Sequence, residues 1–460
     1  MKTSVRYLYQ NHETLVGESL TLFGWIRNNR AQKAFGFINL NDGTFFETIQ
    51  VVYDDVLMNF KDIQKLRVGA AVRVEGKIVL TPNRPQPFEI KATSVELIGD
   101  SEEDYPIQPK RHSREFLRKH AHLRPRTNLF TAVFRVRSLL TGIIHEFFQA
   151  RDFINLTSPL ITASDAEGAG QMFQVTTLDL NNIEKTDGYI DYTKDFFGKK
   201  ANLTVSGQLQ AEVFAQAFRD VYTFGPTFRA EQSHTMIHVS EPWMVEPEMA
   251  FADLSDNMDL AEAMVKFIIE KILVRAPEEM AFLDKFVEKG LRKRLEKVLE
   301  KPFARITHKE AIDILLATEK TFENTPDHTN DLATEHEKAL VAHFEKPVFV
   351  TDWPKDIKAF YMRLNDDKKT VAAVDLLVPG AGELIGGSQR EERLDILDRR
   401  MKEMNIDPDE LWWYRELRKY GSTPHSGYGL GLDRMVMYLT GVENIRDVVP
   451  FPRTPKSCDF

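Results

Sequence analysis

The chain has 460 residues, 42% hydrophobic and 28% charged, with 60 Lys and Arg against 69 Asp and Glu for a formal net charge of −9. This balance excludes a fibrous or disordered chain, and the length asks for two or three folding units rather than one core. A single cysteine, Cys458, excludes a disulfide framework and a thiolate metal site; without a long apolar run or an apolar leader in MKTSVRYLYQNHETL, a cytoplasmic protein with no membrane span is expected.

Between residues 15 and 100, the segments SLTLFGWIR, GFINLND, FETIQVVYD, AAVRVEGKIVL and FEIKATSVELIG alternate apolar with polar residues and are parted by turn residues. Five short strands in so short a stretch predict a small β-barrel over 1–104. Residues 105–127 are rich in charge and proline and lack apolar periodicity, as a hinge does. From Lys110 to Arg137 nine basic residues stand against one acid, Glu115. That stripe suits either a polyanion or a solvated linker.

A third region runs from 128 to 460. LFTAVFRVRSLLTGIIHEFFQARDF carries Phe134, Leu139, Ile143, Ile144 and Phe147 at helical spacing before INLTSPLI turns extended. A second helix is predicted in NMDLAEAMVKFIIEKILVRA, ending before Pro277, and a charged helical insertion over 277–345. Beyond 347, PVFVTDW, FYMRL, TVAAVDLLVP and GELIGG return to the short apolar runs of a sheet.

Three stretches of this region carry residues suited to chemistry. VYTFGPTF and WMVEPEMAF flank a polar loop as a hairpin, with Arg229 and Glu231 at its base; an arginine there grips a phosphate, or merely pairs across the strands. HSGYGLGLDRMVMYLTG alternates Gly427, Gly429 and Gly431 along a strand, then turns helical at Arg434. A bare strand face admits something flat, or serves close packing. In VAAVDLLVPGAGELIGGSQREERLD, Asp375 and Glu383 fall on adjoining strands; such a pair suits Mg2+, which takes one or two carboxylates and completes its shell with phosphates, although lone carboxylates near a turn are often only surface groups. Arg390 follows two glycines. Together, the three stretches hold what the activation of a carboxylate by ATP requires.

These stretches resemble the signature motifs of the class II aminoacyl-tRNA synthetases: the helix and strand ending at Pro159, then TFRAE, then GLGLDR. HLRPRTNLF, SPLITASDAEGAGQMF, EPEMAFAD, IGGSQREERLD and VENIRDVVPFPRTP narrow the likeness to the asparaginyl members of the aspartyl/asparaginyl subclass. The resemblance implies an α+β protein: a five-stranded OB-fold barrel that binds an anticodon, a hinge, and a catalytic domain with an antiparallel sheet flanked by helices. It implies ATP and Mg2+ as substrate and metal, asparagine and tRNA(Asn) as partners, and a twofold homodimer.

By the same resemblance, Arg229 holds the α-phosphate, Glu231 reads adenine or the tRNA end, and Arg434 binds the γ-phosphate and stacks on adenine. His238, Pro242 and Asp433 complete the ATP site, and Asp375 and Glu383 hold Mg2+. Arg390 and Glu246 read the two halves of the substrate amide, Glu167, Gln208 and Glu248 orient its α-amino group, and Arg27, Phe37 and Gln50 meet tRNA. The chain departs from the family in the hairpin loop, where Ile237-His238 and Glu241-Pro242 stand for the usual Arg-His and Glu-Phe. A paralogue for another amino acid, an asparagine synthetase on this fold and a non-catalytic tRNA-binding protein remain open.

Overall fold

The computed structural model describes residues 3–460 apart from 85, 166–171 and 233–234. The chain divides into two compact units, Met1–Ala132 and Val133–Phe460.

In the first unit, β1 (Ser19–Ala31), β2 (Phe35–Asn41), β3 (Ile49–Asp54), β4 (Ala71–Leu80) and β5 (Phe88–Gly99) close a barrel in the order β1-β2-β3-β5-β4. Period-two alternation drives it. Leu22, Ile26, Ile38, Leu40, Ile49, Val51, Val72 and Val74 point inward with no exposed surface. The helix α1 (Val5–Asn11), capped by the Ser4 side chain, adds Val5 and Leu8 to the same core. Its residues carried too little pattern to be foreseen. The β1–β2 register slips between Ile26 and Asn28, so Arg27 sits in a bulge and not in a regular pair.

The second unit is built on an eight-stranded sheet. Its strands are β6 (Ile154–Leu156), β7 (Asp220–Pro226), β8 (Trp243–Ala250), β9 (Ala304–Thr307), β10 (Val348–Pro354), β11 (Thr370–Val378), β12 (Gly382–Gln389) and β13 (His425–Gly431), in the order β9-β10-β11-β12-β13-β8-β7-β6. The pairings are antiparallel except at the two edges, where β9 joins β10 and β6 joins β7 in parallel. The helix α2 (Asn128–Gln149) buries Val136, Leu140, Ile143, Ile144 and Phe147 along one stripe before the chain enters β6. α3 (Gln208–Phe218) packs on β7 and β8. α4 (Leu254–Arg275) starts at a capping box on Asp253, buries Met264, Ile268 and Ile272, and stops before Pro277.

Two expectations need correction. The stretch 277–345 is not wholly helical: besides α5 (Leu291–Glu300) and α6 (Thr334–Phe344) it contributes edge strand β9, whose four residues are too few to show alternation. FYMRL is not a strand but makes only isolated bridges, Met362 to Arg390 and Leu364 to Val371. Phe360 and Tyr361 pack with Leu209, Leu397 and Tyr414, so the apolar run is satisfied as a buried loop. After β13 comes α7 (Leu432–Thr440).

Candidate active site

The central strands of the sheet build a floor without side chains. Asp375 on β11 pairs with Gly386 on β12, and Gly386 pairs with Gly429 on β13. Val245 pairs with Leu430 and Glu248 with Gly427, which sets Glu246 of β8 opposite Gly429; Glu246 in turn faces Thr223 of β7. Paired residues share a face of a sheet, so one row runs from a carboxylate across two glycines to a second carboxylate. It spans three strand spacings, about 14 Å.

The three glycines of β13 serve different ends. A Cβ on Gly427 would lie 2.2 Å from Oε1 of Glu248 and 2.3 Å from the Pro247 carbonyl oxygen, so close packing governs that position. On Gly429 the nearest atom would be the flexible end of Met244 at 3.0 Å, and on Gly431 nothing would come nearer than 3.8 Å. The open floor lies at the second and third.

At the Glu246 end the chemistry is dense and buried. The Glu246 carboxylate accepts from the Ser206 hydroxyl, from the Gly207 amide at 3.0 Å and from the Thr223 hydroxyl at 2.9 Å. Beside it, Arg390 forms a buried two-point ion pair with Glu248, its Nε 3.3 Å from Oε2, and donates to the Ser388 hydroxyl at 2.9 Å. Glu248, expected to orient the α-amino group, has no exposed surface, so its contact is with Arg390. Burial pushes its carboxyl up to about 7 against the pull of Arg390, and nearby Glu212 adds to the rise.

Glu212 itself was missed by sequence reasoning. It accepts from Gln208 Nε2 at 3.1 Å, from the Tyr414 hydroxyl, from Arg418 at 2.9 Å and from His425 at 2.8 Å. Burial opposes its charge, but Arg418, His425 and Arg390 outweigh burial and hold the carboxyl far below the usual range. The network fixes Gln208 on the first turn of α3, turning its amide oxygen away from Glu212. Glu167, the remaining expected contact for the amino group, lies outside the described residues.

At the opposite end, Arg434 in the first turn of α7 donates to the Glu383 carbonyl oxygen at 3.0 Å and lies 3.4 Å from its carboxylate. Glu383 Oε1 and Asp375 Oδ1 converge on Gly386, 3.1 and 3.4 Å from the position of a Cβ there. Asp375 pairs with Lys358 at 2.8 Å. Burial, opposed by Lys358 and reinforced by Glu383, pushes its carboxyl up to about 6. Glu337 of α6, another residue the sequence did not flag, accepts from the Glu383 amide at 3.3 Å.

The hairpin loop between β7 and β8 completes this end. The ladder runs past the strands: the Thr227 amide donates to Pro242 at 2.8 Å and the Arg229 amide to Ser240 at 2.9 Å. The segment after α7 holds the loop, with the Ile445 amide donating to Met236 and the Ser240 amide to Arg453, both at 2.8 Å. His238 reports what surrounds it. Burial lowers its pKa below the usual imidazole value, Arg434 and Arg229 lower it further, and Glu231 and Glu383 act the other way. The hairpin, α7 and the carboxylate pair therefore meet within one electrostatic neighbourhood.

Asp433, expected at the nucleotide, is buried between Arg137 and the Trp243 amide, 3.1 Å away. Its two oxygens are taken up in fastening α7 to α2 and β8. Proline at 242 fits because its carbonyl still accepts from Thr227; the missing N–H costs one ladder bond. Nothing among the described residues accounts for isoleucine at 237.

On the barrel, Phe37 and Gln50 project from β2 and β3 on the outer face. The Arg30 guanidinium lies 5.5 Å from the Phe37 ring, and Phe35 meets Phe37 edge-on at 5.4 Å. Gln50 donates to Glu89 at 3.0 Å and faces Arg30 at 3.4 Å. Arg27 does not join them. Half-buried at the bulge, it has the Tyr105 phenol and the Arg126 guanidinium as neighbours.

Residues 113–455 match the family model of class II tRNA synthetases (D, K and N), and residues 20–98 match that of the OB-fold nucleic acid binding domain. The asparagine–tRNA ligase of Acholeplasma laidlawii is 62% identical over 463 residues, covering both chains end to end. That of Clostridium acetobutylicum is 61% identical over 99% of each chain. The chain belongs to the asparagine–tRNA ligase family. The asparaginyl-tRNA synthetase of Pyrococcus horikoshii, solved with asparaginyl-adenylate, superposes with a TM-score of 0.87 at 31% identity, covering 100% of this chain and 99% of that one. The Entamoeba histolytica enzyme, also solved with asparaginyl-adenylate, gives 0.83 at 25% identity and 97% of each chain.

Family membership bears out the barrel-plus-catalytic-domain architecture read from the sequence. No helix among the described residues is long and apolar enough to cross a membrane.

Proposed function

We propose that the chain joins asparagine to tRNA(Asn) in two steps within this pocket. An oxygen of the asparagine carboxylate attacks the α-phosphorus of ATP, the bond to the β-phosphate oxygen breaks, and pyrophosphate leaves. The terminal ribose hydroxyl of the tRNA then attacks the acyl carbon, loses its proton, and AMP departs. Neither step uses a protein nucleophile, so positioning and placed charge supply the catalysis.

The glycine-floored row carries this reading, because it offers an amino-acid end and a phosphate end at a separation that suits an aminoacyl-adenylate. At the first end Arg390 donates to the side-chain oxygen of asparagine. Glu246 has about four acceptor sites and three donors from the protein, leaving one for the amide N–H. A second carboxylate in that place meets a like charge and finds no donor, which disfavours aspartate. The Gln208 amide oxygen, turned outward by Glu212, receives the α-ammonium together with Glu167.

At the second end Arg229 takes the α-phosphate, Arg434 the far end of the polyphosphate and the adenine face, and Glu231 and His238 line the loop with Pro242 in the place of an aromatic ring. Asp375 and Glu383, both aimed at the bare Gly386, fit a hard divalent cation and would hold Mg2+. When bound, Mg2+ neutralises phosphate charge.

The barrel face of Phe37, Arg30 and Gln50 suits unstacked anticodon bases, with aromatic faces for stacking and polar groups for base edges. The basic segment 105–127 serves as a hinge along the tRNA, and Arg27 stays near it. A twofold homodimer is supported by the apolar side chains exposed near edge strand β6, among them Ile154, Leu160, Ile161, Phe214 and Phe218. We place the protein in the cytoplasm, with its tRNA. Aminoacylation with labelled amino acids tests the reading: it predicts that tRNA(Asn) is charged with asparagine, whereas charging with aspartate, or none, overturns it.

A further inference from the structure

Away from the row of glycines, a cavity of about 500 Å³ opens between α5, α6 and the turn joining β11 to β12. Its volume falls in the range of small-molecule sites, about 300–1,000 Å³. The floor is apolar: Val298 from α5, Val341 and Ala342 from α6, and Val378 and Pro379 from the turn. Lysines rim it, at 293, 297, 338 and 346, with Glu345 as the acid among them. Glu345 is already paired with Lys297 at 3.1 Å.

Lys346 donates to the Pro302 carbonyl. Neither Lys293 nor Lys338 has an ion pair with any described residue, and both are exposed on facing helices. Their positive charge is left uncompensated above an apolar surface. Such a site favours a ligand with an apolar body and one negative group, because the body gains by leaving water and the anion supplies the missing counter-charge. A fully polar anion gains nothing from the floor, and a neutral apolar molecule leaves the lysines as they are.

The walls tie the cavity to the carboxylate pair. Arg294 of α5, chelated by Glu288, donates to the Tyr438 carbonyl at 2.9 Å and to the Pro379 carbonyl at 3.4 Å. The turn so gripped leads straight into Glu383. On α6, Lys338 follows Glu337, which holds the Glu383 amide.

We propose that this cavity binds a small amphipathic organic anion, an apolar or aromatic body bearing one carboxylate, sulfonate or phosphate, with Lys293 and Lys338 as its cationic partners. The proposal does not depend on which amino acid the enzyme activates. Fluorescence titration of the full chain with 8-anilinonaphthalene-1-sulfonate tests it, with the active site filled by a stable adenylate analogue. Saturable binding to the native protein is expected. It should weaken tenfold or more in Lys293→Glu/Lys338→Glu, which removes the counter-charge, and in Ala342→Trp, which fills the cavity from an exposed helical position, both variants keeping the native unfolding midpoint. The proposal is overturned by no saturable binding to the native chain, or by undiminished binding in Ala342→Trp. It is also overturned by undiminished dye binding in the double charge variant, and a loss of tRNA affinity alongside that result assigns the lysines to RNA phosphates.

Discussion

Arg390 and Glu248 form their buried pair directly above Gly427, where the carboxylate oxygen occupies the space a Cβ would need. The residue proposed to read the substrate side chain is thus held by a partner that only glycine beneath it permits. Gly427→Ala should break the pair or displace backbone at Pro247. Overpacking costs about 1–3 kcal/mol and breaking a buried ion pair about 3–5 kcal/mol, so the loss should fall between about 1 and 5 kcal/mol, at the upper end if the pair breaks. Denaturant unfolding reads it, and the KM for asparagine should rise together with the loss.

Glu246 has a narrower role. Glu246→Gln keeps the shape but turns an NH2 group toward the donors Ser206, Gly207 and Thr223 and removes the charge proposed to reject aspartate. The preference for asparagine over aspartate, measured as a ratio of kcat/KM values, should fall by about tenfold or more. An equal loss for both amino acids would remove Glu246 from the selection.

His238 gives a pH test of the phosphate end. Burial and the cations Arg434 and Arg229 depress its pKa, so the imidazole is neutral over part of the range in which an ordinary histidine still carries charge. Replacing Arg434 with Gln removes one depressing charge, so the midpoint must rise toward the usual value. Adding ATP brings negative charge to the same place and must also raise it. NMR titration of the His238 ring resonances reads both, and an unmoved midpoint in Arg434→Gln separates the two residues.

On the barrel, Phe37→Ala should weaken tRNA binding by about 1–3 kcal/mol, the worth of a stacked base. Adenylate formation should be unchanged. The remaining affinity should fall steeply with salt, as phosphate contacts require.

What the sequence disclosed follows from the range over which each signal acts. The barrel strands, α2 and the hairpin around Arg229 were legible because period and turn residues are local. The glycines of β13 were legible as a bare face, but only the neighbouring strand shows that Gly427 accommodates Glu248 while Gly429 lies open. The Glu212 network was not legible, since Glu212 and Arg418 stand 206 residues apart and no local pattern marks a buried charge that finds its partner across the fold. The partners of Asp433 were hidden for the same reason: beside Arg434 in sequence, it turns inward to Arg137. The bulge at Arg27 was not legible either, since a one-residue register slip leaves no mark on the local pattern.

ATP–pyrophosphate exchange tests the central claim most directly, because it follows adenylate formation without tRNA. With the purified chain, Mg2+ and labelled pyrophosphate, the account predicts exchange that depends on asparagine, is weak with aspartate and is absent without amino acid. Exchange with aspartate equal to that with asparagine, or none with either, would contradict it.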